Sequence, residues 1–203
     1  MTSKTAFTGA RIFDGAEWHD RMALVVTDGR VEGLIAADSP TDAMRVPADG
    51  ALIVPGFIDL QVNGGGGALL NDTPTVDAIR TICAAFARFG TTACLPTIVT
   101  DTVDKNVATI AAGVAAVEQG VPGFLGLHLE GPHLAVSRKG AHDPRLIRPM
   151  DESDLQRLIE AKRQPDAARL QHLVEGRRQQ RRMDQRKVVG QRAHHRHQMQ
   201  AGF

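Results

Sequence analysis

The chain has 203 residues, enough for one or two domains with a buried core, and its 42% apolar content excludes a compositionally disordered polymer. A net charge of +1 gives no global pull toward nucleic acid or membrane, but the charge is uneven: residues 1–164 carry 15 Lys+Arg against 20 Asp+Glu, and residues 165–203 carry 9 against 3. The two cysteines, Cys83 and Cys94, form no C-x-x-C pair or disulfide framework, Met1 to Phe7 lacks the apolar stretch of a signal peptide, and no apolar run is long enough to cross a bilayer, so a cytoplasmic protein is expected.

Residues 6–54 alternate short apolar runs with turn signals. Ala23 to Thr27 and Arg30 to Ile35 flank Asp28-Gly29, a hairpin signal because both central residues tolerate positive φ, and Asp14-Gly15 marks a second turn. The pattern changes at Pro55-Gly56. From Phe57 to Asn63 the period is two, with Ile58, Leu60 and Val62 on one face and Asp59, Gln61 and Asn63 on the other. Four glycines, Gly64 to Gly67, follow. A helix is then predicted, capped by Asp72 or Thr73 with Pro74 in its first turn, its stripe formed by Val76, Ile79, Ile82, Phe86 and Phe89, and its stop at Gly90.

Thr91 to Val99 reads as a strand, although Pro96 would remove a ladder donor. A second helix is predicted from about Asp101 to Gln119, with Val103, Val107, Ile110, Val114 and Val117 as its apolar stripe. Phe124 to Glu130 reads as a third strand, closed by Gly131-Pro132, and residues 151–163 as a further helix with Leu155, Leu158 and Ile159 on one side. The order βαβαβ implies parallel strands with helical crossovers, the start of either a doubly wound sheet or a (β/α)₈ barrel. A barrel takes about 250 residues. Fewer than 150 follow Pro55, so the expectation is an incomplete one.

The residues that could carry chemistry cluster at strand ends. His128 and Glu130 are two apart near the C-terminal end of a predicted parallel strand, the end at which such sheets bind ligands. A carboxylate there suits Zn²⁺ or a similar divalent ion, against the bland reading of a solvated strand-end charge. Asp59, Gln61 and Asn63 can face the same mouth, or simply bond the glycine loop. Arg138-Lys139 and His142 would suit an anionic substrate, though their composition alone fits an ordinary polar loop.

Three segments together resemble the N-acetylglucosamine-6-phosphate deacetylase family of amidohydrolases: Val54-Pro-Gly-Phe-Ile-Asp-Leu-Gln-Val-Asn-Gly-Gly-Gly-Gly67, Gly90-Thr-Thr-Ala-Cys-Leu-Pro-Thr97 and Leu125-Gly-Leu-His-Leu-Glu-Gly-Pro132, followed by Lys139-Gly-Ala-His-Asp-Pro144. The resemblance covers roughly residues 5–160. It implies a metal-dependent (β/α)₈ barrel with a small β-sandwich, of which residues 1–54 would supply the sandwich portion and 55–164 the first βα units. It also implies hydrolysis of N-acetylglucosamine 6-phosphate to glucosamine 6-phosphate and acetate.

By position, the resemblance makes Glu130 the carboxylate metal ligand and Ala141 and His142 a substrate-contacting pair. Gln61 and Asn63 stand where other amidohydrolases carry His-x-His and would support a metal-water network, which favours a single divalent ion, Zn²⁺ by expectation. The family's catalytic Asp, its two further His ligands and its phosphate-binding Arg come from later strands and are not identifiable here. A homo-oligomer would be expected of a complete family member, with a small amino-sugar phosphate as partner and neither nucleic acid nor membrane.

Beyond Pro165 the apolar periodicity collapses into Gln, Arg and His, as in Arg177-Arg-Gln-Gln-Arg-Arg182 and His194-His-Arg-His197. The abrupt change suggests a frameshift or truncation near residues 163–172 and a non-native tail; translating the coding region in all three frames tests it, and finding no barrel motifs in another frame would dismiss it. Two other functions fit parts of the chain. One is a galactosamine-type phosphate deacetylase. The other is nucleic-acid binding through the basic tail, disfavoured because Phe203 is its only aromatic.

Overall fold

The computed structural model describes residues 3–163. It is mixed α/β and divides into two units, one ending at Gly56 and the other beginning at Phe57. The tail carrying Arg177–Arg182 and His194–His197 lies outside the described residues.

The first unit consists of β1 (Lys4–Thr8), β2 (Arg11–Phe13), β3 (Trp18–His19), β4 (Met22–Thr27), β5 (Arg30–Ala36), β6 (Met44–Pro47) and β7 (Leu52–Ile53). They form a four-stranded sheet in the order β5-β4-β1-β6 and a three-stranded sheet in the order β3-β2-β7. The hairpin at Asp28-Gly29 forms as its residues demand, with φ of 49° and 75° joining the antiparallel strands β4 and β5. The core of this unit is small: Ala6, Ala23, Val25 and Ala43, with Ile35 packed against them.

The second unit runs β8 (Phe57–Val62), α1 (Val76–Ala87), β9 (Thr91–Val99), α2 (Val103–Glu118), β10 (His128–Glu130), a single 3₁₀ turn (Val136–Arg138) and α3 (Glu152–Arg163). Strands β8, β9 and β10 lie side by side in chain order and pair in parallel, as the βαβαβ pattern requires. Leu70, Ile79, Ile82, Ile98 and Leu127 are almost wholly buried between sheet and helices, and each such side chain contributes roughly 1.5–3 kcal/mol of burial. Cys83 and Cys94 lie in this core as free thiols with sulfurs 3.6 Å apart.

Four local expectations need correction. The cap of α1 is Thr75, whose hydroxyl accepts from the Ala78 N–H at 3.2 Å, rather than Asp72 or Thr73; Pro74 precedes the helix. The buried face of α2 is Thr109, Ala112, Gly113 and Ala116 and not the valine stripe. Small residues win because α2 lies so close to the chain leading into β10 that a Cβ on Gly113 would stand 2.4 Å from Leu127 Cδ1. Val114 and Val117 pack instead with Phe124, Leu129 and Leu158.

The third strand is shorter than its apolar run. Phe124 makes only a lone bridge to Cys94, Gly126 has φ of 154°, and continuous pairing starts at His128. In α3 the most buried positions are Asp154 and Ala161, for a reason given below. Pro96 does sit in the central strand. Its missing donor coincides with a shift in the β8–β9 register, and β10 pairs with β9 only from Thr97 onward.

Candidate functional site at the strand ends

Gln61 near the end of β8, Thr97 and Thr100 at the end of β9, and His128 and Glu130 of β10 are gathered by parallel pairing at the C-terminal edge of one sheet. Gln61 Nε2 donates to Glu130 Oε2 at 2.9 Å, across 69 residues of sequence. The other carboxylate oxygen of Glu130 faces His142 Nε2 at 3.4 Å. The Nδ1 of the same ring lies 2.8 Å from the Thr100 hydroxyl, whose oxygen is 3.3 Å from the Glu130 carbonyl. Thr97 ties the sheet one layer below. It accepts from the Val62 N–H at 3.0 Å, and its hydroxyl lies 3.3 Å from His128 Nδ1.

Gly131 makes this arrangement possible. Its φ of 101° is strained for any residue with a Cβ, and a Cβ built there would fall 2.0 Å from Thr100 Oγ1. The chain leaves through Pro132, turns at Val136–Arg138, and brings Ala141 and His142 back over Glu130, with Ala141 exposed. Arg145 pairs with Asp143 just past His142, and that guanidinium, together with the Arg145 backbone N–H, holds the Asp143 carboxyl down to about 2.

A buried polar group anchors the far end of this loop. Asp154 takes both terminal nitrogens of Arg148, and Arg157 reaches it at 3.1 Å. His133 Nδ1 lies 3.2 Å from the Arg148 carbonyl, and the Arg148 N–H returns to the Pro132 carbonyl at 3.2 Å. The Arg148 bonds hold the Asp154 carboxyl at about 2, despite the opposing effect of burial. This explains why a charged residue occupies the buried face of α3: it closes the loop's exit onto its entrance. Behind the sheet, on the Leu129 side, a cavity of ≈ 60 Å³ opens between α2, α3 and this loop, lined by Val107, Ile110, Pro132, Met150 and Leu158. Glu130 faces away from it by strand alternation.

The structure therefore brings together Gln61, Glu130 and His142. Asn63 lies past the end of β8 and is exposed, and Asp59, within β8, accepts from the Gln61 N–H at 3.1 Å. Arg138 is exposed. Sequence reasoning missed Thr97, Thr100, and the Arg148–Asp154 clamp. The signal for Asp154 was a carboxylate inside an apolar helical stripe; for the threonines it was two hydroxyls closing an otherwise apolar strand.

A carboxylate is the right donor for a divalent ion, and its half-buried position with one oxygen braced by Gln61 fits a single ligand. A catalytic zinc takes three protein ligands. Among the described residues, the only group of three potential ligands is Asp14, Glu17 and His19, in the first unit. There Asp14 is already engaged by the Ala16 and Glu17 N–H groups and by His19 at 2.8 Å. At the strand ends the described residues thus offer Glu130 as a candidate single ligand and no group of three.

Residues 52–200 match the Amidohydrolase family, and the chain belongs to that family. It is 38% identical over 149 residues to N-acetylgalactosamine-6-phosphate deacetylase of Shewanella sp. (strain ANA-3), covering 72% of this chain and 38% of that protein. It is 32% identical over 165 residues to N-acetylglucosamine-6-phosphate deacetylase of Vibrio furnissii, covering 78% and 41%. The crystal structure of N-acetylglucosamine-6-phosphate deacetylase from Pasteurella multocida superposes with a TM-score of 0.73 at 29% identity, over 78% of this chain and 42% of that one. The chain spans about two fifths of the length of these relatives.

Proposed function

We propose that the chain carries the substrate-facing, first part of a metal-dependent N-acetylhexosamine-6-phosphate deacetylase, with N-acetylglucosamine 6-phosphate as substrate. The observation that carries this is the convergence of Gln61, Glu130 and His142 at the C-terminal ends of neighbouring parallel strands, the edge at which α/β sheets bind ligands. The sheet β8-β9-β10 with α1 and α2 is then the opening of a (β/α)₈ barrel, and the strands before Gly56 belong to a β-sandwich. The compartment is the cytoplasm.

Glu130 is the proposed carboxylate ligand of a divalent ion, zinc by preference. When bound, such an ion supplies an acidified water and polarises an amide carbonyl. Gln61 holds one Glu130 oxygen so that the other is aimed into the mouth. Asn63 extends the water network beside it. His142 presents Nε2 as a hydrogen-bonding group toward the sugar, with Ala141 beside it. The expected acid–base Asp is not among the described residues, so the chain alone is expected to release no acetate above background.

A galactosamine-type substrate is the second reading, favoured by the 38% identity to the Shewanella enzyme. Calorimetric binding of each of the two sugar phosphates tests the substrate class, and acetate release with added divalent metal, measured alongside, tests the predicted inactivity. Robust turnover by the chain alone would refute the predicted inactivity, and selective binding of neither sugar phosphate would refute the substrate class.

A further inference from the structure

We propose that Thr100 is a positioning residue for His142, fixing the ring as its Nε2–H tautomer with that hydrogen aimed at the Glu130 carboxylate and at any ligand oxygen that takes its place. The inference deepens the functional reading above and rests on it only for the identity of that ligand.

The hydroxyl of Thr100 has one hydrogen and two neighbours that could receive it. One is His142 Nδ1 at 2.8 Å; the other is the Glu130 carbonyl at 3.3 Å. The shorter contact is the stronger bond. The opposite end of the ring decides the matter independently. Glu130 Oε1, 3.4 Å from Nε2, is acceptor-only when ionised, and Gln61 already occupies Oε2. A bare Nε2 lone pair would face that oxygen without a hydrogen between them. With Thr100 donating to Nδ1, Nε2 carries the hydrogen and both nitrogens of the neutral His142 ring are satisfied, while the Glu130 carbonyl gives up the longer Thr100 bond. The other neutral tautomer keeps that bond but sets a bare Nε2 lone pair against Glu130 Oε1.

Thr100 is itself held. It is 6% exposed, follows the last residue of β9, and occupies the space that only a glycine at position 131 leaves open. Second-layer bonds of this kind set the tautomer and angle of a functional imidazole. Gly131 in the His-Leu-Glu-Gly-Pro segment therefore serves His142, eleven residues further on, through a threonine on another strand.

The test is nitrogen-15 spectroscopy of the histidine rings in the intact chain at mildly alkaline pH, with Thr100→Val and Thr100→Ser compared. The wild-type His142 ring is expected to show an unprotonated Nδ1 and a protonated Nε2 whose hydrogen exchanges slowly with solvent. Thr100→Val should shift the Nε2–H to Nδ1–H tautomer ratio about fivefold toward Nδ1–H, the weight of one net hydrogen bond, and Thr100→Ser should restore it. A protonated Nδ1 in the wild type overturns the proposal whatever the variants do. So does an unchanged tautomer ratio in a folded Thr100→Val. No substrate is needed, so a failure here is separate from a failure to bind sugar phosphates.

Discussion

Replacing Gly113 by Ala sets two effects of known size against each other. Gly113 lies inside α2, where alanine is the better helix former by about 0.5–1 kcal/mol. On an isolated helix the substitution would stabilise. In this fold the new methyl would lie 2.4 Å from Leu127 Cδ1 and 2.9 Å from its Cγ, where carbon atoms prefer about 3.5–4.0 Å. Leu127 is 1% exposed and cannot yield into solvent. Overpacking of this kind costs about 1–3 kcal/mol. Steric cost should prevail, with a net loss of about 1 kcal/mol, read as a lower urea midpoint by circular dichroism at unchanged slope. Leu127→Val removes the crowded carbon, so the double variant should be more stable than the sum of the two singles by about 1 kcal/mol. A stabilised Gly113→Ala, or strict additivity in the double variant, would refute the close approach of α2 to the chain entering β10.

Gly131→Ala, forced to a φ of 101° and into the Thr100 hydroxyl, should cost about 2 kcal/mol or more in chemical denaturation; a neutral result would mean the turn relaxes freely. Thr75→Ala removes the α1 cap and should cost about 1 kcal/mol, measured the same way. Asp154 titrates near 2 in the folded protein, below its ordinary value near 4, because Arg148 holds it ionised. A depressed carboxyl adds stability above its unfolded value and loses it as pH falls through its folded one. Asp154→Asn should therefore be less stable than wild type at neutral pH, and the gap should close between about pH 4 and pH 2, followed by denaturation midpoints across pH.

The parallel core was legible because its signals are local. Period-two alternation from Phe57 and the glycine stop at Gly90 mark elements whatever surrounds them, and β9 spans Thr91–Val99 as its residues suggested. What was not legible depended on distance between elements. The valines of α2 are more hydrophobic than its alanines, yet Ala112 and Ala116 are the buried ones, flanking Gly113, where the space beside Leu127 admits not even a Cβ. Phe124 to Leu127 is apolar enough for a strand, yet it makes only the single bridge of Phe124 to Cys94 before pairing starts at His128. At the site, Glu130 and His142 stood out by residue type and resemblance. Thr100 did not, since a buried threonine near a strand end looks like any β-branched residue until its hydroxyl is seen between two elements. Asp154 was hidden for the same reason: its partner Arg148 lies on a loop with no periodicity to reveal it.

The two crossover helices impose opposite rules on sequence change. On α1, the large buried side chains Ile79 and Ile82 fill space, so that face resists shrinkage and accepts a neighbour of similar volume. On α2, the buried face is already near the smallest that side chains allow, so it resists growth and has almost no freedom in composition. Random mutagenesis of the second unit should recover aliphatic exchanges at 79 and 82, and almost none that enlarge 112, 113 or 116.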